Sequence, residues 1–132
     1  MKIKNIMEDK QMRFKDYFLK DFESSDNSFY ESLRTRYYRA KYEEAKKKVL
    51  EIISEEKGKV LDENEDYREI LFETSGYSCT VCFVPTTPVE IAIDFKVTTF
   101  NFLGMGKGKK IIEELYKKVD ARLPLKGIAL YK

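Results

Sequence analysis

The sequence predicts an α+β fold: a two-layer domain with an antiparallel sheet of about four to five strands, two amphipathic helices on one face, and an N-terminal helical segment. Three observations carry that prediction. Residues 89–99 alternate strictly, with Val89, Ile91, Ile93, Phe95 and Val97 on one side and Glu90, Ala92, Asp94, Lys96 and Thr98 on the other. Two stretches, 41–57 and 109–122, repeat their apolar residues at helical spacing. Short turn signals separate the runs of period two between them, so consecutive strands are expected to be joined as antiparallel hairpins. A chain of 132 residues, 42% of them hydrophobic, suffices for one core and is short for two. The expected division is an arm over 1–28 and a single α+β domain over 29–132.

In the arm, Met7, Phe14, Phe18 and Phe22 recur at near-helical spacing and predict an amphipathic helix over 9–22, broken by the Ser/Asp/Asn run at 24–28. An exposed stripe of phenylalanines would be an aggregation hazard, so this helix either folds back on the domain or docks on a partner. Residues 33–39 have the aromatic content of a short strand. The helix over 41–57 rests on Tyr42, Ala45, Val49, Ile52 and Ile53, with Glu43–Lys47 and Glu44–Lys48 as favourable i, i+4 pairs. Gly58 supplies its stop.

Residues 59–61 then lead into an acidic turn at 62–66, Ile70 and Phe72 mark the next strand, and Ser75-Gly76 the next turn. Tyr77, Cys79, Val81 and Phe83 share one face of a third strand, and residues 85–88, with two prolines, read as a connection. In the strand over 89–99, a slip of one residue would put five large apolar side chains into water. At about 1.5–3 kcal/mol each, that exceeds typical net stability. A glycine-rich loop at 100–108 leads into the helix over 109–122, built on Ile111, Ile112, Leu115, Tyr116 and Val119 and ended by Leu123-Pro124. Residues 127–132 are either one more short strand or a packed tail.

This order, a strand feeding a Lys/Glu-rich helix, an antiparallel meander, then Leu103-Gly104-Met105-Gly106 opening a closing helix, resembles small bacterial helix-grip-like domains, several of them of unknown function. The resemblance covers about residues 33–123. Larger helix-grip proteins of the lipid-transfer type bind apolar ligands between sheet and helix. This chain is shorter and lacks their extra helices, so a large internal cavity is not implied, and no catalytic residue carries over.

Composition removes many functions. With no histidine, Ser-His-Asp and Cys-His catalysis, His-ligated zinc and a histidine pH switch are excluded. The 25 basic and 23 acidic residues leave a net charge of only +2, which offers no global attraction to nucleic acid or anionic membranes. Charges interrupt the N-terminal stretch where a signal peptide would be apolar, and no run is long enough to span a membrane. The two cysteines form one C-x-x-C, Cys79 and Cys82, inside a strand. There they point to opposite faces with Cα atoms about 10 Å apart, beyond the ~7 Å limit of a disulfide. Reduced strand cysteines fit a cytoplasmic protein, and nineteen lysines against six arginines fit a bacterial one.

Two sets of residues remain as candidates. Gly104, Gly106, Lys107, Gly108, Lys109 and Lys110 follow a strand and open a helix, where backbone N–H groups and the helix dipole hold anions. Their order matches neither nucleotide-binding fingerprint, and a tight connection needs glycines in any case. The readings are a structural turn with solvated lysines or a contact for phosphate, RNA or an acidic partner. The second set is the polar face of the long strand, Glu90, Asp94 and Lys96, together with Phe14, Phe18 and Phe22 of the arm, as contacts for a protein partner. Glu90 and Asp94 lie about 13 Å apart, too far for a glycosidase-like carboxylate pair, whose groups sit about 5–9.5 Å apart. Arg34, Arg36, Arg39, Lys41, Lys46, Lys47 and Lys48, interleaved with Tyr37, Tyr38 and Tyr42, would suit single-stranded nucleic acid, yet Tyr42 belongs to the helix's apolar stripe and the pI of about 8.4 is below the usual basic footprint. Residues 59–95 carry net −6 and residues 96–132 net +6, a split that permits head-to-tail self-association. The expectation is a non-catalytic binding or protein-interaction domain without a cofactor. Its partner would be a protein or a second copy in a homodimer, with nucleic acid and membrane not expected. An anion binder using residues 104–110 is the alternative.

Overall fold

Along the chain run β1 (Asp21–Glu23), a 3-10 turn at Glu31–Leu33, β2 (Arg36–Tyr38), α1 (Tyr42–Glu55), β3 (Lys59–Asn64), β4 (Glu69–Glu73), β5 (Tyr77–Thr87), β6 (Glu90–Thr99), α2 (Lys107–Asp120) and β7 (Leu125–Ile128). This is a computed structural model, and it describes residues 12, 13, 15, 16, 19–100 and 105–131. Among them the fold is α+β, an antiparallel sheet with two α-helices, and no helix is long and apolar enough to cross a membrane.

The sheet has seven strands among the described residues rather than four or five. Its order is β3-β4-β5-β6-β2-β7, with β1 also on β6. The additional strands are short. Three-residue β1 and four-residue β7 have no readable alternation, and they exist because neighbouring strands present unpaired backbone groups to them. Of the helix expected over 9–22, residues 12, 13, 15, 16 and 19–22 are described and none is in an α-helix; Asp21–Glu23 is a strand paired with Lys96 to Thr98 of β6. Phe22 faces Val97 there and is buried by the sheet's own pattern, not by a helical stripe. Residues 1–11, Phe14, Phe18 and Gly104 lie outside the described residues.

Elsewhere the boundaries shift in ways backbone chemistry explains. β5 continues through residues 85–87, because Pro85 falls beside a register shift where its missing N–H costs no ladder bond. Val89 consequently sits in the β5–β6 turn, 60% exposed, and is not part of the core face. α2 begins at Lys107, two residues earlier than expected, so Lys107 and Gly108 belong to the helix instead of the loop before it.

One apolar cluster fills the space between the layers. Ala45, Val49, Ile52 and Ile53 of α1 and Ile112, Leu115, Tyr116 and Val119 of α2 meet Ile70, Phe72, Cys79, Val81, Phe83, Ile93, Phe95 and Val97 of the sheet. These sheet residues are the apolar half of each alternation, so both helices lie on one face. The other half, among it Glu69, Glu73, Thr80, Cys82, Asp94 and Lys96, forms a face on which no helix of the described residues lies.

Candidate functional site

β1 and β2 lie end to end along the same edge of β6: β1 pairs with residues 96–98 and β2 with residues 91–93. The ladder is therefore interrupted at Asp94 and Phe95, and side chains close it. Ser24, directly after β1, donates its N–H to Phe95 O at 2.8 Å, while its Oγ accepts from Phe95 N–H at 2.9 Å. The Tyr116 hydroxyl reaches into the interruption from α2, 2.7 Å from Ile93 O and 2.8 Å from Ser24 Oγ. Residues 25–35 form a loop closed on itself, with Ser25 N–H on Leu33 O at 3.0 Å and Thr35 N–H on Ser25 O at 3.1 Å. This loop delivers Thr35 to the same point.

Asp94 is the convergence. Its Oδ1 accepts from Ser24 Oγ at 2.6 Å and Thr35 Oγ1 at 2.7 Å, with the Tyr116 hydroxyl at 3.4 Å. Its Oδ2 receives no hydrogen bond from the described residues. Burial pushes the Asp94 carboxyl above the ordinary aspartate range, the Ser24 and Thr35 hydroxyls pull it back, and the negative charge of Asp26 pushes it up again. Asp94 lines an open concavity of about 510 Å³ with Asp26, Thr35, Tyr37, Val84, Thr86, Ala92 and Tyr131. The Tyr37 hydroxyl donates to both Asp26 oxygens, at 2.8 and 2.9 Å, and its ring packs edge-on to Tyr131 with centroids 5.0 Å apart. Burial and Asp26 hold that hydroxyl protonated well above its ordinary range, so Tyr37 acts as a donor at neutral pH.

The other sequence-derived residues have different places. Glu90 is 4% exposed and is engaged within the chain by Lys126, Thr86 and the Tyr131 hydroxyl, a set of contacts that ties β7 and the segment after it to β6. Lys96 is exposed on the open face, opposite Glu23 and Thr80. Phe22 is core, packed against Gly108 so closely that a Cβ there would stand 2.8 Å from its ring. The glycine-lysine segment does not gather three free lysines. Gly106 caps α2 in the left-handed region at φ 73°, where glycine is needed. Lys109 is 5% exposed, with its Nζ 2.6 Å from Glu113 and 5.3 Å from the Tyr30 ring centroid. Lys107 and Lys110 are exposed. Cys79 lies in the core and Cys82 on the open face, both as free thiols. Burial and the neighbouring Glu69 push the Cys82 thiol up to about 12, so it carries a proton at neutral pH and is a poor nucleophile.

Sequence reasoning located Asp94 from its place on the polar side of an alternating strand. It missed Ser24, Asp26, Thr35 and Tyr131, and weighed Tyr37 only beside the basic run as a nucleic-acid contact. Tyr37 had a signal, since in a strand Tyr37 and Tyr38 must point to opposite faces and only one can be core. The loop and terminal residues carried none. No protein-family model matches the chain, and no curated protein matches its sequence.

Proposed function

We propose that this protein is a non-catalytic binding module whose contact surface is the open face of the sheet, centred on the concavity at Asp94. The observation that carries the reading is the state of that carboxylate. Neutral hydroxyls hold one oxygen in place, and the other receives no hydrogen bond from the described residues in a concavity with two aromatic rings. Concave sites with an apolar wall and a few well-held polar groups are the usual form of binding sites. The resemblance to helix-grip-like domains would direct a ligand between sheet and helices. That layer is filled here by Phe72, Val81, Ile93, Ile112, Leu115 and Tyr116, each 2% exposed or less, which favours the opposite face.

Amide correlation spectra of the ¹⁵N-labelled protein, titrated with a library of neutral, cationic and phosphorylated small molecules, test the reading. Shifts are expected to concentrate on Thr35, Tyr37, Val84, Ala92 and Asp94. Shifts confined to residues 106–110 with phosphorylated compounds would replace this reading with the anion binder. An unresponsive spectrum across the library would overturn both.

A further inference from the structure

We infer that the concavity at Asp94 accepts the ammonium group of a lysine side chain presented by an extended segment of a partner protein. The inference rests on the binding-module reading above and names what that module binds.

Charge is the first argument. Both charged residues lining the concavity, Asp26 and Asp94, are acidic, and neither has a cationic partner among the described residues. The buried carboxylates Asp16 and Glu90 are neutralised, by Arg13 and Lys126, and the half-buried Asp120 by Arg36. Enclosed charges are ordinarily paired, because desolvation without a counter-charge is costly. Among the described residues the pair at the concavity has no such cation. Lys126 does not supply it, since its ammonium is held by Glu90 beside the Tyr131 ring.

Shape decides which cation. Asp94 offers one oxygen only, because Oδ1 is taken by Ser24 and Thr35. A guanidinium gains its advantage from two parallel bonds to a carboxylate, whereas an ammonium is a point charge that one oxygen serves. Tyr37 and Tyr131 offer aromatic rings to that charge, and Val84 and Ala92 offer an apolar wall for the methylene stem. The surroundings favour a polypeptide over a free amine. Glu23, Glu69 and Glu73 continue the acidic character along the open face, against Lys96 and Lys59, so a segment with further basic residues gains from each.

The probes are N-acetyl-Gly-Lys-Gly-amide, its norleucine counterpart and n-pentylammonium, each titrated into the labelled wild type and into Asp94→Asn. The lysine peptide should shift Thr35, Tyr37, Ala92 and Asp94 with saturation. The norleucine peptide, and the lysine peptide on Asp94→Asn, should each bind about tenfold more weakly or worse, as expected for one lost charge-assisted bond. The norleucine comparison is made on the wild type, so it stands even if the variant misfolds. Equal shifts from norleucine would overturn the ammonium while leaving the concavity as a binding site. Tighter binding of n-pentylammonium than of the peptide would overturn the partner segment. No shift from either cation, with other library compounds still binding at the concavity, would overturn this inference alone. No binding there by any compound would remove the module reading as well.

Discussion

Tyr116 occupies the apolar stripe of α2, yet its hydroxyl ends outside the core, in the interruption between β1 and β2. Its ring is fully buried and packs edge-on against Phe95 at 4.9 Å, while its oxygen serves Ile93 O and Ser24 Oγ. The residue thus joins the helix layer to the position that holds Asp94. Burial drives its hydroxyl far above the ordinary tyrosine range, so it stays protonated and can donate. Tyr116→Phe keeps the ring and leaves a buried backbone carbonyl without this donor. It should lower unfolding free energy by about 1–3 kcal/mol, read as a lower urea midpoint at unchanged slope. An unchanged midpoint would show that the hydroxyl contributes nothing. Only the apolar half of this residue was legible in sequence. Helical spacing marks Tyr116 as core, but no local pattern says that a break in a distant strand pairing waits for its oxygen.

The element most changed by tertiary structure is the junction into α2. Glycines and lysines at 104–110 fit an anion-binding loop as well as a tight turn, because both need backbone freedom and both tolerate lysine. Packing separates the two. Gly106 provides the left-handed cap, and Gly108 lets the first turn of α2 lie directly on Phe22 of β1. An added Cβ at Gly108 would stand 2.8 Å from Phe22 Cδ2 and 3.3 Å from its Cβ, so the whole side chain of a sheet residue would have to move. Overpacking of this kind costs about 1–3 kcal/mol, against about 1 kcal/mol that alanine's helix preference returns. Gly108→Ala should therefore lower the thermal midpoint, whereas Gly76→Ala, with nothing within 4 Å of the added atom, should not lower it by crowding. Equal midpoints for the two variants would refute close approach as the role of Gly108. The long strand was readable because ten residues repeat one pattern, and the two helices because four turns do. Strands of three and four residues, such as β1 and β7, repeat nothing, and only the strand edges beside them show why they form.

Across the molecule, the acidic excess of residues 59–95 becomes a surface. Hairpin register sends Glu69, Glu73 and Asp94 to the open side while Ile70, Phe72 and Phe95 go to the core. Two carboxylates four residues apart on β6 respond to pH with opposite sign. Glu90 is held below the ordinary 4.5, first by Lys126 and then by Thr86, so its contribution is complete above that value and is lost as pH falls through its folded pKa. Asp94 is raised from 3.8, first by burial, so the folded protein binds the extra proton and ionisation costs stability as pH rises through the folded value. Asp94→Asn keeps an oxygen for Ser24 and Thr35 but no charge. Its thermal midpoint relative to wild type should climb as pH rises from about 3.8 and then level off. Glu90→Gln should fall further behind wild type over the acid range as pH rises. Flat differences across pH 3–8 would contradict both assignments. Read alone, the sequence determines the class of fold, the register of β6, the two helices and the absence of imidazole chemistry, since each follows from residue type or from a repeat among near neighbours. Where Asp94 finds its hydroxyls, which lysine turns inward, and which glycine is crowded are decided only by folding, because those contacts join residues tens of positions apart whose meeting no local period records.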